Sequence, residues 1–225
     1  MVHPTTLRLH TAETSDPDLA ALLWEAPPGR PGVVVVHGAG SRKENHSDIC
    51  GRLRDAGFSA LALDLRGHGE SAGTSDAGML DDVLHALDEL AARGAAPLGL
   101  RGSSLGGFLA LHAASLHRGV RAVVALCPAR PESLCRIFEA AWPLGLPLAP
   151  AVARYDGVAR GYWHATGDER VPWQATYALA QITPQPRHLR VVMGGHHRSL
   201  QHDPGVLADS ICFLREHLFS DGPNP

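Results

Sequence analysis

The chain has no pair of cysteines at a spacing that points to a cross-link or a metal. Its four cysteines, Cys50, Cys127, Cys135 and Cys212, are scattered. That excludes a CxxC motif and the dense framework of a small secreted domain, and leaves reduced, buried thiols as the expectation. No run approaches the roughly 18 apolar residues that a membrane span requires. The N-terminal stretch MVHPTTLRLH has no basic segment followed by an apolar one, so no leader is expected and a cytoplasmic location is. Charge of either sign is not in excess, with a formal net charge of -3, which gives no basis for a nucleic-acid partner. Internal repeats and low-complexity segments are also lacking.

What is present is a set of short apolar runs between segments of helical periodicity. Val33 to Val36 is the clearest run, and it reads as a strand buried on both faces. Similar runs are Ser59 to Leu63, Pro97 to Leu100, Val120 to Leu126, Gly161 to Ala165 and His188 to Met193. Thr6 to His10 and Leu19 to Trp24 suit an antiparallel hairpin at the sheet edge, giving about eight strands. Apolar residues at helical spacing fall in Glu44 to Ala56, Met79 to Arg93, Leu105 to Leu116, Trp173 to Ile182 and Gly205 to Leu218. Strand and helix alternate, so the expected class is α/β with a mostly parallel sheet and helices on both faces. A length of 225 residues suits one domain spanning 1-225. Residues 129-160 break the alternation with proline-rich AAWPLGLPLAP, which forbids one long helix and reads either as a small lid or as an ordinary helix and loop. The tail SDGPNP is expected to fray.

Chemistry concentrates in Gly102-Ser103-Ser104-Leu105-Gly106-Gly107, between an expected strand and an expected helix. In a tight strand-to-helix turn the central residue is strained, and glycines two before and two after it let strand and helix approach. Ser104 is flanked that way, whereas Ser103 has Arg101 and Leu105 at those positions. A GxSxG match alone is a weak signal; its place between strand and helix strengthens it. A serine hydroxyl at neutral pH needs a general base within reach, and the base needs a carboxylate to hold its tautomer. On a nucleophile elbow these follow the serine in the order acid, then histidine. The acid candidates are Asp168 and its neighbour Glu169, just past a strand that ends in a glycine turn, and the base candidates are His196 and His197, after Gly194-Gly195. The other histidines, such as His85, His112, His117 and His217, lie in helical segments and read as packing or surface residues. One oxyanion donor comes with the elbow, the N–H of Leu105 at the helix N-terminus.

Taken together, these segments resemble the α/β-hydrolase superfamily of serine hydrolases, in its dienelactone-hydrolase and esterase-like branch. The acid turn from His164 to Pro172 is similar to the family's HG-T-x-D-x-x-VP pattern, and the match falls on Asp168. Gly195-His196-His197-Arg198 aligned to the family's Gly-x-His favours His197 as base over His196. His37-Gly38-Ala39-Gly40 resembles the HGxG turn, which implies the N–H of Ala39 as second oxyanion donor. Asp64 to Ser71, DLRGHGES, resembles the family's DxRGxGxS signature, whose residues are structural, so His68 is not expected to act in catalysis. The resemblance spans Val33 to Arg198. It implies a serine hydrolase that cleaves an ester, thioester or related acyl bond of a small molecule, without cofactor or metal. A cofactor-free perhydrolase would use the same triad, and a silent binding protein on this fold would lack one of its members. Serine at position 104 excludes the carboxylate-nucleophile chemistry of haloalkane and epoxide hydrolases. The short apolar segment before Asp168 suggests a modest pocket for small or medium acyl chains. Substrate contacts and oligomeric state are not legible.

Overall fold

A computed structural model describes residues 3–10, 18–138 and 146–219. Eight strands form one sheet: β1 (Thr5–Leu9), β2 (Leu19–Trp24), β3 (Gly32–Val36), β4 (Ser59–Leu63), β5 (Leu98–Ser103), β6 (Val120–Leu126), β7 (Ala159–Ala165) and β8 (Arg187–Val192). Their order across the sheet is β1-β2-β4-β3-β5-β6-β7-β8. β1 pairs antiparallel with β2 and β2 with β4; every later pairing is parallel. The hairpin sits at the edge, as its weaker patterning suggested.

The helices are α1 (Ser47–Asp55), α2 (Met79–Ala92), α3 (Leu105–Leu116), α4 (Pro131–Ile137), α5 (Leu148–Val152), α6 (Trp173–Ile182) and α7 (Pro204–Leu218). Side chains alternate across a strand, so the four valines of β3 divide between two cores. Val34 and Val36 join Val83, Leu87 and Leu109 of α2 and α3, while Val33 and Val35 join Ile49, Leu53 and Leu214 of α1 and α7. Each aliphatic side chain so buried contributes about 1.5–3 kcal/mol. Parallel strands covered on both faces must be apolar along their whole length, which is why their sequences read as continuous runs.

Several expected bounds shift, and the cause is buried charge. The strand expected over Pro97 to Leu100 runs on to Ser103 because Arg101 is buried within it. The strand expected from Gly161 starts at Ala159 because Arg160 is buried too, its guanidinium held by Asp156 at 2.6 and 2.9 Å. The helix expected from Glu44 divides into a 3₁₀ turn, Lys43–His46, and α1, because Lys43 and His46 turn inward. α7 begins one residue early at Pro204, where Asp203 caps it by accepting the Val206 N–H at 2.8 Å. Of the four thiols, all unpaired, Cys50 and Cys127 are buried as expected, but Cys135 is half-buried and Cys212 exposed, which corrects that reading. Within the expected lid, α5 sends Leu148 and Val152 into the core rather than over a cavity. Residues 139–145 of that stretch, and the expected frayed tail at 220–225, lie outside the described residues.

Lys43 is the only lysine in the chain. Its side chain is 1% exposed and its Nζ lies 2.8 Å from Asp64 Oδ2, itself fully buried, and 2.9 Å from Glu70 Oε2. Asp64 also accepts the backbone N–H groups of Lys43 and Glu70. Burial alone would raise the Asp64 carboxyl, but these donors hold it below its usual value. The DLRGHGES turn is thereby tied to the loop after β3. Removing one partner of a buried pair strands the other charge and costs about 3–5 kcal/mol. Lys43→Met is therefore expected to lower unfolding free energy by about that much, measured by urea titration; a change under about 1 kcal/mol would contradict this role.

Two buried histidines set the acid response. Burial pushes His37 down to about 4 and His46 down to about 3. An unfolded imidazole titrates near 6.5. Below pH 6.5 the unfolded chain therefore takes up protons that the native chain does not, and stability falls as pH falls. The loss approaches about 1.4 kcal/mol per pH unit for each histidine, and for His37 it levels off below about pH 4. Urea midpoints at pH 7, 6 and 5 are expected to fall, with a shallower slope in His46→Phe; a flat wild-type profile would contradict this.

Candidate functional site

Ser104 sits between the end of β5 and the start of α3 with φ 53° and ψ -115°. Non-glycine residues avoid positive φ, so the surroundings must impose it. They do so by contact: a side chain at Gly102 would strike the Gly106 carbonyl, and one at Gly106 would strike the carbonyl of Val36 in β3. Backbone bonds fix the turn further, from Ser104 N–H to the Leu126 carbonyl at 2.9 Å and from the N–H groups of Phe108 and Ala129 to the Ser104 carbonyl at 3.0 Å. Ser103, the rejected neighbour, turns its hydroxyl toward Gln201 instead.

His197 Nε2 lies 2.9 Å from Ser104 Oγ, and its Nδ1 lies 2.7 Å from Asp168 Oδ2. A carboxylate only accepts, so Nδ1 carries the proton and Nε2 is left to accept from the Ser104 hydroxyl. The structure thus brings Ser104, Asp168 and His197 into one hydrogen-bonded line. His196 is exposed and turned away, its Nδ1 accepting the Arg198 N–H. Glu169 does not face the imidazole; it accepts the backbone N–H of His197 at 3.1 Å.

The two loops are stitched together. Gly167 N–H donates to the Gly194 carbonyl at 2.9 Å, and Gly194 N–H donates to Thr166 Oγ1 at 2.8 Å. Asp168 Oδ1 accepts the N–H groups of Arg170 and Val171. Burial would push the Asp168 carboxyl up, but hydrogen bonds from His164 and His197, with those two backbone donors, outweigh it and hold the group well below the carboxylate range.

His164 opens the acid-turn motif, but the sequence reading gave it no role. It is fully buried, and its Nε2 lies 3.0 Å from the Val171 carbonyl and 3.2 Å from Asp168 Oδ2, both acceptors. Nε2 therefore donates, and Nδ1 accepts from Thr176 Oγ1 at 2.7 Å. A histidine within the apolar run of β7, four residues before the acid, was the signal available for it. His164, Asp168 and Cys127 place donor atoms within 4.8 Å of one another, a grouping that could face a metal. Both nitrogens of His164 are already engaged, however, and burial pushes the Cys127 thiol up to about 12.

The N–H of Leu105 is the first of α3, and first-turn donors have no partner within their helix. Neither it nor the N–H of Ala39 has a backbone partner among the described residues. Ala39 is held by His37, whose ring bridges two turns: its Nε2 accepts the Leu65 N–H at 3.1 Å, so its Nδ1 donates to the Gly38 carbonyl at 2.8 Å. His68 packs its ring against His37 at a tilt of 55°, and its Nδ1 faces the Arg66 carbonyl, not Ser104 or Asp168. Ser104, His197 and Ala39 open on a cavity of about 330 Å³, at the small end of ligand pockets.

Comparison with known proteins bears on the fold and the family. Residues 27–151 match the family described as serine aminopeptidase, S33, a span that takes in Ala39 and Ser104 and ends before Asp168 and His197. An uncharacterized protein, YfhR, of Escherichia coli O157:H7 is 25% identical over 73% of this chain and 62% of its own length. A pimeloyl-[acyl-carrier protein] methyl ester esterase of Neisseria meningitidis is 32% identical over 57% of this chain and 46% of its own. The chain thus spans less than two thirds of these curated relatives. Among solved structures, Est1E of Butyrivibrio proteoclasticus with bound ferulic acid superposes with TM-score 0.77 at 20% identity, over 94% of this chain and 98% of that one. An esterase of Pyrococcus furiosus gives 0.78 at 16% identity, over 96% and 91%. These two likenesses establish the fold, and the family match covers more than half of the sequence: the chain belongs to the serine aminopeptidase S33 family of α/β-hydrolases.

Proposed function

We propose that residues 1-225 form a single hydrolase domain that cleaves carboxylic esters or related acyl bonds through an acyl-enzyme on Ser104. The observation that carries this reading is the line Ser104–His197–Asp168, with contacts of 2.9 and 2.7 Å at the edge of the cavity. Esterase names among the sequence relatives support it.

In this reading His197 Nε2 takes the Ser104 proton as Oγ attacks the acyl carbon, and Asp168 stabilises the imidazolium that forms. The N–H groups of Leu105 and Ala39 receive the oxyanion; one such donor is worth about 3–4 kcal/mol. His197 then returns its proton to the departing alkoxide, leaving the acyl group on Ser104. Water, deprotonated by the same nitrogen, releases the acid and restores the hydroxyl. His164 is a positioning residue: its Nε2 donates to the same Asp168 Oδ2 that receives the His197 Nδ1 proton.

A fluorophosphonate probe is expected to label Ser104, and Ser104→Ala to lower kcat on 4-nitrophenyl butyrate by about 10⁴-fold or more. An unlabelled, folded wild-type protein at neutral pH would refute the proposal. Between the adjacent histidines, His197→Ala is expected to abolish turnover, whereas His196→Ala retains it within about threefold. Steady-state kinetics decides this, and near-wild-type kcat in His197→Ala would move the base elsewhere.

A further inference from the structure

Among the described residues, the cavity before Ser104 is lined by two arginines, Arg170 and Arg198, and by no aspartate or glutamate. Arg198 makes no side-chain hydrogen bond or ion pair among the described residues. Among the described residues Arg170 approaches Glu169 Oε1 at 3.8 Å, beyond hydrogen-bond distance, while Glu169 Oε2 accepts the His197 N–H. Two guanidiniums thus border the reaction space with their bidentate donors unspent.

The polar wall of the same cavity has a fixed sense. His202 Nδ1 lies 3.1 Å from Asp48 Oδ2, a carboxylate that can only accept, so Nδ1 donates and Nε2 accepts from Gln201 Nε2 at 3.1 Å. Gln201 Oε1 in turn accepts from Ser103 Oγ at 3.4 Å. Asp48 is the acid anchor of this chain, but it stands behind His202 and does not line the cavity. The second N–H of Gln201 remains as a donor for a ligand.

From this arrangement we infer that the substrate carries a compact anionic group, a carboxylate or a phosphate, within a short chain's length of the scissile carbonyl, bound by Arg170 and Arg198. The inference rests on the hydrolase reading of Ser104 and deepens it. It also argues against the substrate implied by the family's description: an aminopeptidase substrate presents a protonated amine, which two arginines with no carboxylate among the described lining residues would repel.

The test compares matched aryl esters: the 4-nitrophenyl mono-ester of glutaric acid against neutral 4-nitrophenyl pentanoate for a carboxylate, and the butyrate ester of 3-hydroxyphenyl phosphate against that of 3-methoxyphenol for a phosphate. In wild type at low salt, kcat/KM for one anionic ester is expected to exceed that of its neutral partner by about tenfold, mainly through KM. Which pair discriminates identifies the anion. The ratio should fall as salt rises, and should collapse toward 1 in Arg170→Gln/Arg198→Gln. Calorimetric binding of the same esters to Ser104→Ala gives the discrimination without turnover. Neutral esters turned over as well as anionic ones, or a preference that survives in the double variant, would overturn the inference. Absent turnover in wild type with retained discrimination by Ser104→Ala would instead sink the hydrolase reading and keep the anion site.

Discussion

The structure depends on one close approach, that of the N-terminal turn of α3 to the ends of β3 and β5. Helices normally stand off a sheet by the thickness of their side chains. Here Gly106 lies against the Val36 carbonyl and Gly102 against Gly106, with no room for a methyl group at either position. That contact forces the chain between them through φ 53° at Ser104. It also brings the helix N-terminus, with its unpaired N–H of Leu105, beside the loop that carries Ala39. Strain at Ser104 and the placing of the helix N-terminus beside that loop are thus two results of the same packing.

Two other networks keep what that approach creates. Lys43 and Asp64 pin the loop after β3 to the turn after β4, and His37 ties the Gly38 carbonyl to the Leu65 N–H. The loops that carry Asp168 and His197 are laced through Thr166, Gly167, Gly194 and Glu169. Asp168 receives four donors, so its charge is offset inside the protein rather than by water. A carboxylate held so firmly ionised keeps a single tautomer on His197 across the whole range in which the imidazole can serve as acceptor.

The fold was legible because its strands are buried on both faces, so hydrophobic runs and helical periods appear without interruption. It was misread at Arg101, Arg160 and Lys43, where a charge lies inside an element and ended the apparent run early. No local pattern announces that such a residue is buried, since its partner is often remote: Asp64 lies 21 residues from Lys43. Glycine turns at strand ends pointed to Ser104, to Asp168 or Glu169 and to His196 or His197, and the family resemblance favoured Asp168 and His197. The pair His196 and His197 could not be separated by pattern alone, because a one-residue shift in the loop exchanges them. The structure separates them by sending the Arg198 N–H to one and Asp168 to the other. His164 stayed hidden for the reverse reason, since its partners are local but its position reads as core.

Arginine makes the limit of sequence reading clearest. The chain has one lysine, and nearly all of its positive charge is guanidinium. Arg160 is buried and held by Asp156; Arg101 is buried with Ser210 at 3.4 Å as its hydrogen-bond partner and burial pushes it down to about 10. Arg170 and Arg198 face the cavity. All four follow or lie within β-strand or turn segments, and nothing in composition tells them apart. What separates them is whether the fold brings an acceptor to the guanidinium. Where an acceptor from the chain is supplied, the arginine is structural. Where the fold lines a cavity with the guanidinium and brings no acceptor within hydrogen-bond distance, as at Arg170 and Arg198, water or a ligand supplies it, and the residue's chemistry bears on what the cavity can bind.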